Sequence, residues 1–236
     1  MFWDWEKDKF VMPEITDGQP QIKRKVSMPR DKHWSSYEFN NKNYMVYSFD
    51  PLRIITCNQS AKCQFTQNAA APNYQFNDIV DCVRGGTPTV QYKGDFYITI
   101  THSTLFKKGD KRYYTFNLLV LKADTKSKHK IIYYSEPITF HKELMSKTPM
   151  VRTRWIDDPF FFPVSLLLED EDNIIIGGHI NDHSAYLFRV KGIKSILDQV
   201  IIKSSSLEAE GPANGVLHNL SRKLATKQSG YTFQTS

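Results

Sequence analysis

The sequence predicts an all-β protein. Short runs alternate apolar and polar residues with the period of two expected of strands. β-Branched and aromatic residues fill those runs, Gly, Asn, Asp and Pro cluster between them, and a helical period is nearly absent. Aromatic residues make up 13% of the 236 residues, which suits pleated faces that pack large flat side chains.

Taken in order, "NKNYMVYSFDPLRIITC" (41–57) reads as two strands broken near Asp50-Pro51. "TPTVQYKGDFYITITHS" (87–103) reads as a pair turning at Lys93-Gly94, and "YYTFNLLVLKADTKSKHKIIYYS" (113–135) as a pair joined by a polar hairpin. In "FFFPVSLLLEDEDNIIIGGHINDHSAYLFRV" (160–190) the turns fall at Glu169 to Asn173 and Gly177 to His183. Only "IKSILDQVII" (193–202) carries a helical period. The expected organisation is a β domain over 1–190, a short helix over 191–202 and a flexible, disordered tail over 203–236.

The net charge is +6, from 31 Lys and Arg against 25 Asp and Glu. The basic clusters at 22–25, 107–112 and 126–130 lie between strand-like segments, where lysines keep turns solvated and edges unpaired, so no nucleic-acid partner is expected. No apolar run reaches the roughly 20 residues needed to span a bilayer, and "MFWDWEKDKF" lacks the pattern of a signal peptide. The compartment stays open, although two Asn-x-Ser sequons, at Asn58 and Asn219, would matter in a secreted chain. Cys57, Cys63 and Cys82 are odd in number and lack a C-x-x-C pair, which predicts buried structural cysteines rather than a disulfide framework, a zinc site or a Cys-His nucleophile.

Many short antiparallel strands allow a sandwich, a barrel or a propeller. Two segments, Gly86 to Ser135 and Asp157 to Val190, share an order of turn, strand, Gly or Asp turn and strand, in units of propeller-blade size. A compact β-sandwich is the competing architecture.

"RGGTPTVQYKGDFYITITHS", "YYTFNLLVLKADTKSKHKIIYYSEPI" and "DDPFFFPVSLLLEDEDNIIIGGHINDHSAYLFRV" together resemble glycoside hydrolase family 130. That family comprises the β-mannoside phosphorylases and hydrolases and the related β-mannosyltransferases. The resemblance runs over about residues 30–190 through Gly85-Gly86-Thr87-Pro88, Gly94, His102, Phe162-Pro163, Asp170 and the tip Gly178 to Asp182. It implies a five-bladed β-propeller, partial in this chain, with the first blade and part of the second missing. It further implies a glycoside phosphorylase, hydrolase or glycosyltransferase acting on β-mannosides or mannose phosphate donors. Inorganic phosphate or a sugar phosphate would be the co-substrate, with no other cofactor.

Lys32, Arg84 and His102, with Arg53, match the family's phosphate-holding positions, and Asp182, in the same tip as His179, matches an acidic position that binds sugar hydroxyls. Gly85, Gly86 and Thr87 would let the backbone approach the ligand. A phosphate dianion calls for such charge-assisted donors. The family's catalytic aspartate, in an acidic-Asp-Pro-Arg motif, lies well upstream of the Lys segment, where this sequence has only about 30 residues. "MPRDKHW" holds Pro29, Arg30 and Asp31 in another order, so the catalytic residue is unknown. The expectation is therefore a fragment or a degenerate relative, and the alternative function is a carbohydrate-binding propeller without catalysis.

Several further groups have two readings. His179, Asp182 and His183 have metal-ligand spacing on a helix but sit between strand-like runs, so a turn is expected and no metal. Asp157 and Asp158 could be an acid–base pair, yet neighbours on a strand point to opposite faces. Lys32, His33 and Trp34 could join a phosphate-binding lysine to a sugar-stacking ring, or Trp34 could be core.

Overall fold

The computed structural model describes residues 2–4, 8–11, 14–15, 33–68, 83–109, 111–124, 129–150, 156, 158–204 and 216–233. Near the N-terminus β1 (Phe2–Asp4) pairs antiparallel with β2 (Lys9–Val11). The short β3 (Glu14–Ile15) joins the edge of the first large sheet. That sheet is a meander of β4 (Ser35–Phe39), β5 (Lys42–Phe49), β6 (Leu52–Cys57) and β7 (Lys62–Asn68), in the spatial order β3-β7-β6-β5-β4. Left-handed backbone at Asn40 and Asn41 makes the tight β4–β5 turn, a conformation Asn tolerates better than most residues. The break at Asp50-Pro51 falls where the sequence places it.

The second sheet contains β8 (Val83–Gly85), β9 (Val90–Lys93), β10 (Phe96–Lys107), β11 (Lys111–Lys122) and β12 (Lys130–Pro137). β8 and β9 both pair with β10, one behind the other, so they form a single edge interrupted at Gly86 to Thr89. After α1 (Lys142–Lys147), the third sheet orders β13 (Phe161–Leu168), β14 (Asn173–Ile180) and β15 (Ser184–Lys191). Then α2 (Ile193–Ser204) and α3 (Val216–Ser229) follow.

The second sheet lies between the other two. On β10, Tyr97 faces the first sheet and packs with Tyr37, Phe39 and Val46, together with Leu119 and Leu121 of β11. Its neighbours Ile98 and Ile100 face the third sheet and pack with Phe161, Leu166, Ile174 and Ile176. Both faces of β10 are covered, so Tyr97 to Ser103 are all buried, the polar Thr99, Thr101, His102 and Ser103 included. β15, at an outer edge, alternates cleanly between half-buried and exposed residues. The described residues are thus predominantly β, in several antiparallel sheets, with no barrel among them.

Three expectations change. The tail is not wholly disordered: α3 buries Leu217, Ser221 and Ala225 on one face, and Leu217 joins the core between the first two sheets. The predicted turn from Gly177 to His183 shrinks to residues 181–183, because Gly177 to Ile180 belong to β14. These glycines give room to neighbours, since a Cβ on Gly178 would strike the Phe161 ring and the Phe162 carbonyl. Finally, Cys57 and Cys63 are directly paired across β6 and β7 and form a disulfide. Strand register supplies that proximity, which the spacing in sequence did not suggest. Cys82 lies outside the described residues, as do residues 125–128 of the polar hairpin expected within 113–135.

Candidate functional site

The edge strands of the three sheets meet at the Gly-Gly-Thr-Pro segment. The Gly86 and Thr87 N–H groups both donate to Ile100 O (2.9 and 3.2 Å), and Ile100 N–H donates in return to Thr87 Oγ1 (3.0 Å). From the first sheet, Ser35 Oγ donates to Thr87 O (2.7 Å) and Ser36 O accepts from Thr89 N–H (3.0 Å). From the third sheet, Pro163 comes so near that a Cβ on Gly86 would stand 3.0 Å from its Cγ. A Cβ on Gly85 would collide with Ser35 Oγ and the His33 carbonyl. The glycines therefore serve close strand approach, and the N–H groups of Gly86 and Thr87 are committed to Ile100. Thr87 is buried, and its hydroxyl is engaged within the β10 ladder.

Beside this junction three imidazoles surround one benzene ring. The ring of Phe162 on β13 lies 5.5 Å from His33, 5.0 Å from His102 and 5.5 Å from His179 between centroids. His179 stacks on it nearly parallel, at 10°, because the two residues are direct partners across β13 and β14. His33 and His102 meet edge to face at 5.0 Å. His102 is only 4% exposed, and its Nδ1 stands 3.1 Å from Gly85 O. A carbonyl can only accept, so Nδ1 carries a proton there and Nε2 is the nitrogen that changes with protonation.

Arg84 lies directly across the ladder from His102, so both side chains stand on one face. Asp182 Oδ1 is 3.2 Å from His179 Nδ1. Asn181 and Asp182 both adopt left-handed backbone. The buried Asn181 amide accepts from Phe160 N–H (2.9 Å) and donates to Thr148 O (3.0 Å), which fixes the hairpin end that carries Asp182. The "HINDH" segment is thus a strand end and turn, and among the described residues no group of three His, Cys, Asp or Glu side chains gathers as metal ligands.

The structure therefore brings Arg84, His102, His179 and Asp182 together and adds His33 and Phe162. Lys32 and Asp157 lie outside the described residues. Arg53 is fully buried, its guanidinium carbon 4.7 Å from the Tyr47 ring centroid and 4.3 Å from that of Phe65. Tyr47 in turn lies 5.5 Å from Trp34 between ring centroids, which places Trp34 in aromatic packing. Asp158 precedes β13 and is bound by Lys107 Nζ (2.6 Å) and the Tyr231 hydroxyl (3.1 Å).

Comparison with protein-family models, with curated proteins and with solved structures gives no match to this chain. Any functional reading consequently rests on the arrangement itself. The Arg84 guanidinium is a charge-assisted donor suited to a phosphate or carboxylate group, imidazoles become such donors on protonation, and Asp182 supplies an acceptor for hydroxyls.

Proposed function

We propose that this chain is a carbohydrate-active protein of the glycosyl-transfer kind, taking β-mannosides or a mannose phosphate at the histidine cluster. In that reading the three sheets are successive radial blades of a five-bladed β-propeller, and their first strands line its axis. The observation that carries the proposal is the convergence of His33, His102 and His179 on Phe162 from separate strands and strand ends, with Arg84 across the ladder from His102 and Asp182 against His179. Arg84 and the imidazoles would hold the phosphate. Asp182 would accept from sugar hydroxyls, and the Phe162 region would offer a flat apolar surface to the pyranose ring.

Binding without turnover is the second reading, and one observation favours it. A general acid must stand within hydrogen-bond reach of the leaving oxygen. Asp182, the carboxylate that touches the cluster among the described residues, is instead held against His179 in a turn where its side chain is 61% exposed.

Calorimetric titration with mannose 1-phosphate tests the site. The wild-type protein should bind, and Arg84→Ala and His102→Ala should each bind roughly ten- to a hundredfold more weakly, the usual effect of losing a charge-assisted hydrogen bond. Equal affinity of all three proteins, or no binding by any, would overturn the proposal. Incubation with β-mannosides and inorganic phosphate then separates the two readings, because only an enzyme forms mannose 1-phosphate.

A further inference from the structure

The turn between β6 and β7 carries a group of features that the candidate functional site does not use. Asn58, Gln59 and Ser60 form an Asn-x-Ser sequon at its tip, and all three are exposed. The turn grips Asn58 through three hydrogen bonds: its N–H donates to Lys62 O (3.0 Å), its carbonyl accepts from Ala61 N–H (2.9 Å), and its side-chain Oδ1 accepts from Lys62 N–H (2.9 Å). The carboxamide is thereby fixed through its oxygen. Among the described residues no hydrogen bond uses Nδ2, which is the atom that an N-linked sugar joins.

A second observation concerns the compartment. Cys57 and Cys63 flank this turn and are joined by a disulfide. Such bonds form and persist in oxidising surroundings, the secretory lumen and the cell exterior among them. In eukaryotic cells the secretory lumen is also where Asn-x-Ser sequons receive oligosaccharide, and exposed turn tips leave room for it. The disulfide thus points to the same place as the sequon, through different chemistry. The other sequon is built differently. Asn219 lies on α3, where its Oδ1 accepts from Arg222 Nη2 (2.8 Å), and the hydroxyl of its third residue, Ser221, is buried against Asn117.

We propose that Asn58 is an N-glycan attachment site and that the chain matures in the compartment that forms the Cys57–Cys63 bond. Transfer from a lipid-linked oligosaccharyl diphosphate forms the bond between sugar C1 and Asn58 Nδ2. The bond from C1 to the diphosphate oxygen breaks, and the lipid diphosphate leaves with the proton that the amide gives up. Nothing here depends on the sugar-phosphate reading, in which a sugar is a ligand of the histidine cluster rather than a covalent attachment.

The test uses the full chain isolated from the cells that naturally make it. Peptide N-glycosidase should lower its mass and leave aspartate in place of Asn58 in the corresponding peptide. Alkylation of the unreduced protein should miss Cys57 and Cys63, and alkylation after reduction should label both. Produced in the same cells, Asn58→Gln and Ser60→Ala should lack the glycan on this peptide, and Ser60→Thr, which keeps the sequon, should retain it. An unmodified Asn58 peptide in the wild-type protein, a glycan that persists in Ser60→Ala, or free thiols at Cys57 and Cys63 would overturn the proposal. If a variant fails to fold, the wild-type peptide map and the thiol labelling decide it.

Discussion

Burial of His129 beneath Tyr37, Phe39 and Tyr44 makes stability depend on pH. Ring centroids lie 5.9, 6.0 and 5.3 Å away, the Tyr37 hydroxyl is 3.3 Å from Nδ1, and Gln67 Nε2 donates to the His129 carbonyl. Burial favours the neutral imidazole and lowers its pKa, with Asp124 opposing in part. The folded pKa is therefore below the unfolded value, near 6.5. Stability from this group is complete above about pH 6.5 and is lost as pH falls through that value toward the folded pKa. Urea unfolding between pH 8 and 5 should show the loss, and His129→Gln should flatten that part of the profile relative to wild type. A variant with an unchanged pH slope would remove His129 from the account. Gly178 belongs to the same scale. It reads as a turn residue in sequence, yet its role is steric, because any side chain there enters the space of Phe161. Gly178→Ala should destabilise the protein by about 1–3 kcal/mol, the usual cost of overpacking, measured as a lower urea midpoint with an unchanged slope.

Helix α3 was hidden in the sequence for a physical reason. Its buried face is Leu217, Ser221 and Ala225, spaced one turn apart, and two of the three are small and weakly apolar. Polarity that resembles a solvated tail is spent inside instead. Ser221 Oγ donates to Asn117 Oδ1 (3.2 Å) and stands 3.0 Å from Thr115 Oγ1 and 3.1 Å from the Tyr134 hydroxyl. Burial pushes the pKa of Tyr134 up to about 12, so it stays neutral and donates to Asn117. Ser221→Ala should cost roughly 1–3 kcal/mol, because buried partners lose a hydrogen bond. Calorimetric unfolding is the check, and an unchanged midpoint would make α3 a passive cover. The strands, by contrast, were legible because β-branched and aromatic runs end at Asp50-Pro51, Lys93-Gly94 and Glu169 to Asn173. At the candidate site, Arg84 and His102 are visible in the sequence as charged or titratable residues beside the Gly-Gly-Thr-Pro turn, and His179 and Asp182 as residues of one hairpin tip. His33 and Phe162 were quoted but not joined, since only the packing of three sheets brings residues so distant in sequence into contact.

At the scale of the molecule each large sheet is built mainly from consecutive strands, and β3 is the one strand of the first sheet that joins its edge parallel and out of turn. Short connections close at modest entropic cost, so each meander can assemble as a local unit before the sheets dock. The Gly86–Thr89 interruption is where those docked units are stitched, through Ser35, Ser36 and Pro163. The placement of β10 and β11 between two cores carries a consequence for how the molecule opens. A strand whose neighbours must separate on both faces becomes accessible only when the whole structure does, whereas β15 can detach alone. Amide hydrogen exchange should accordingly report two regimes: β10 and β11 exchange through an opening with the denaturant sensitivity of global unfolding, and β15 through a smaller one that is nearly insensitive. A common sensitivity across all three sheets would mean that they open as a single cooperative body.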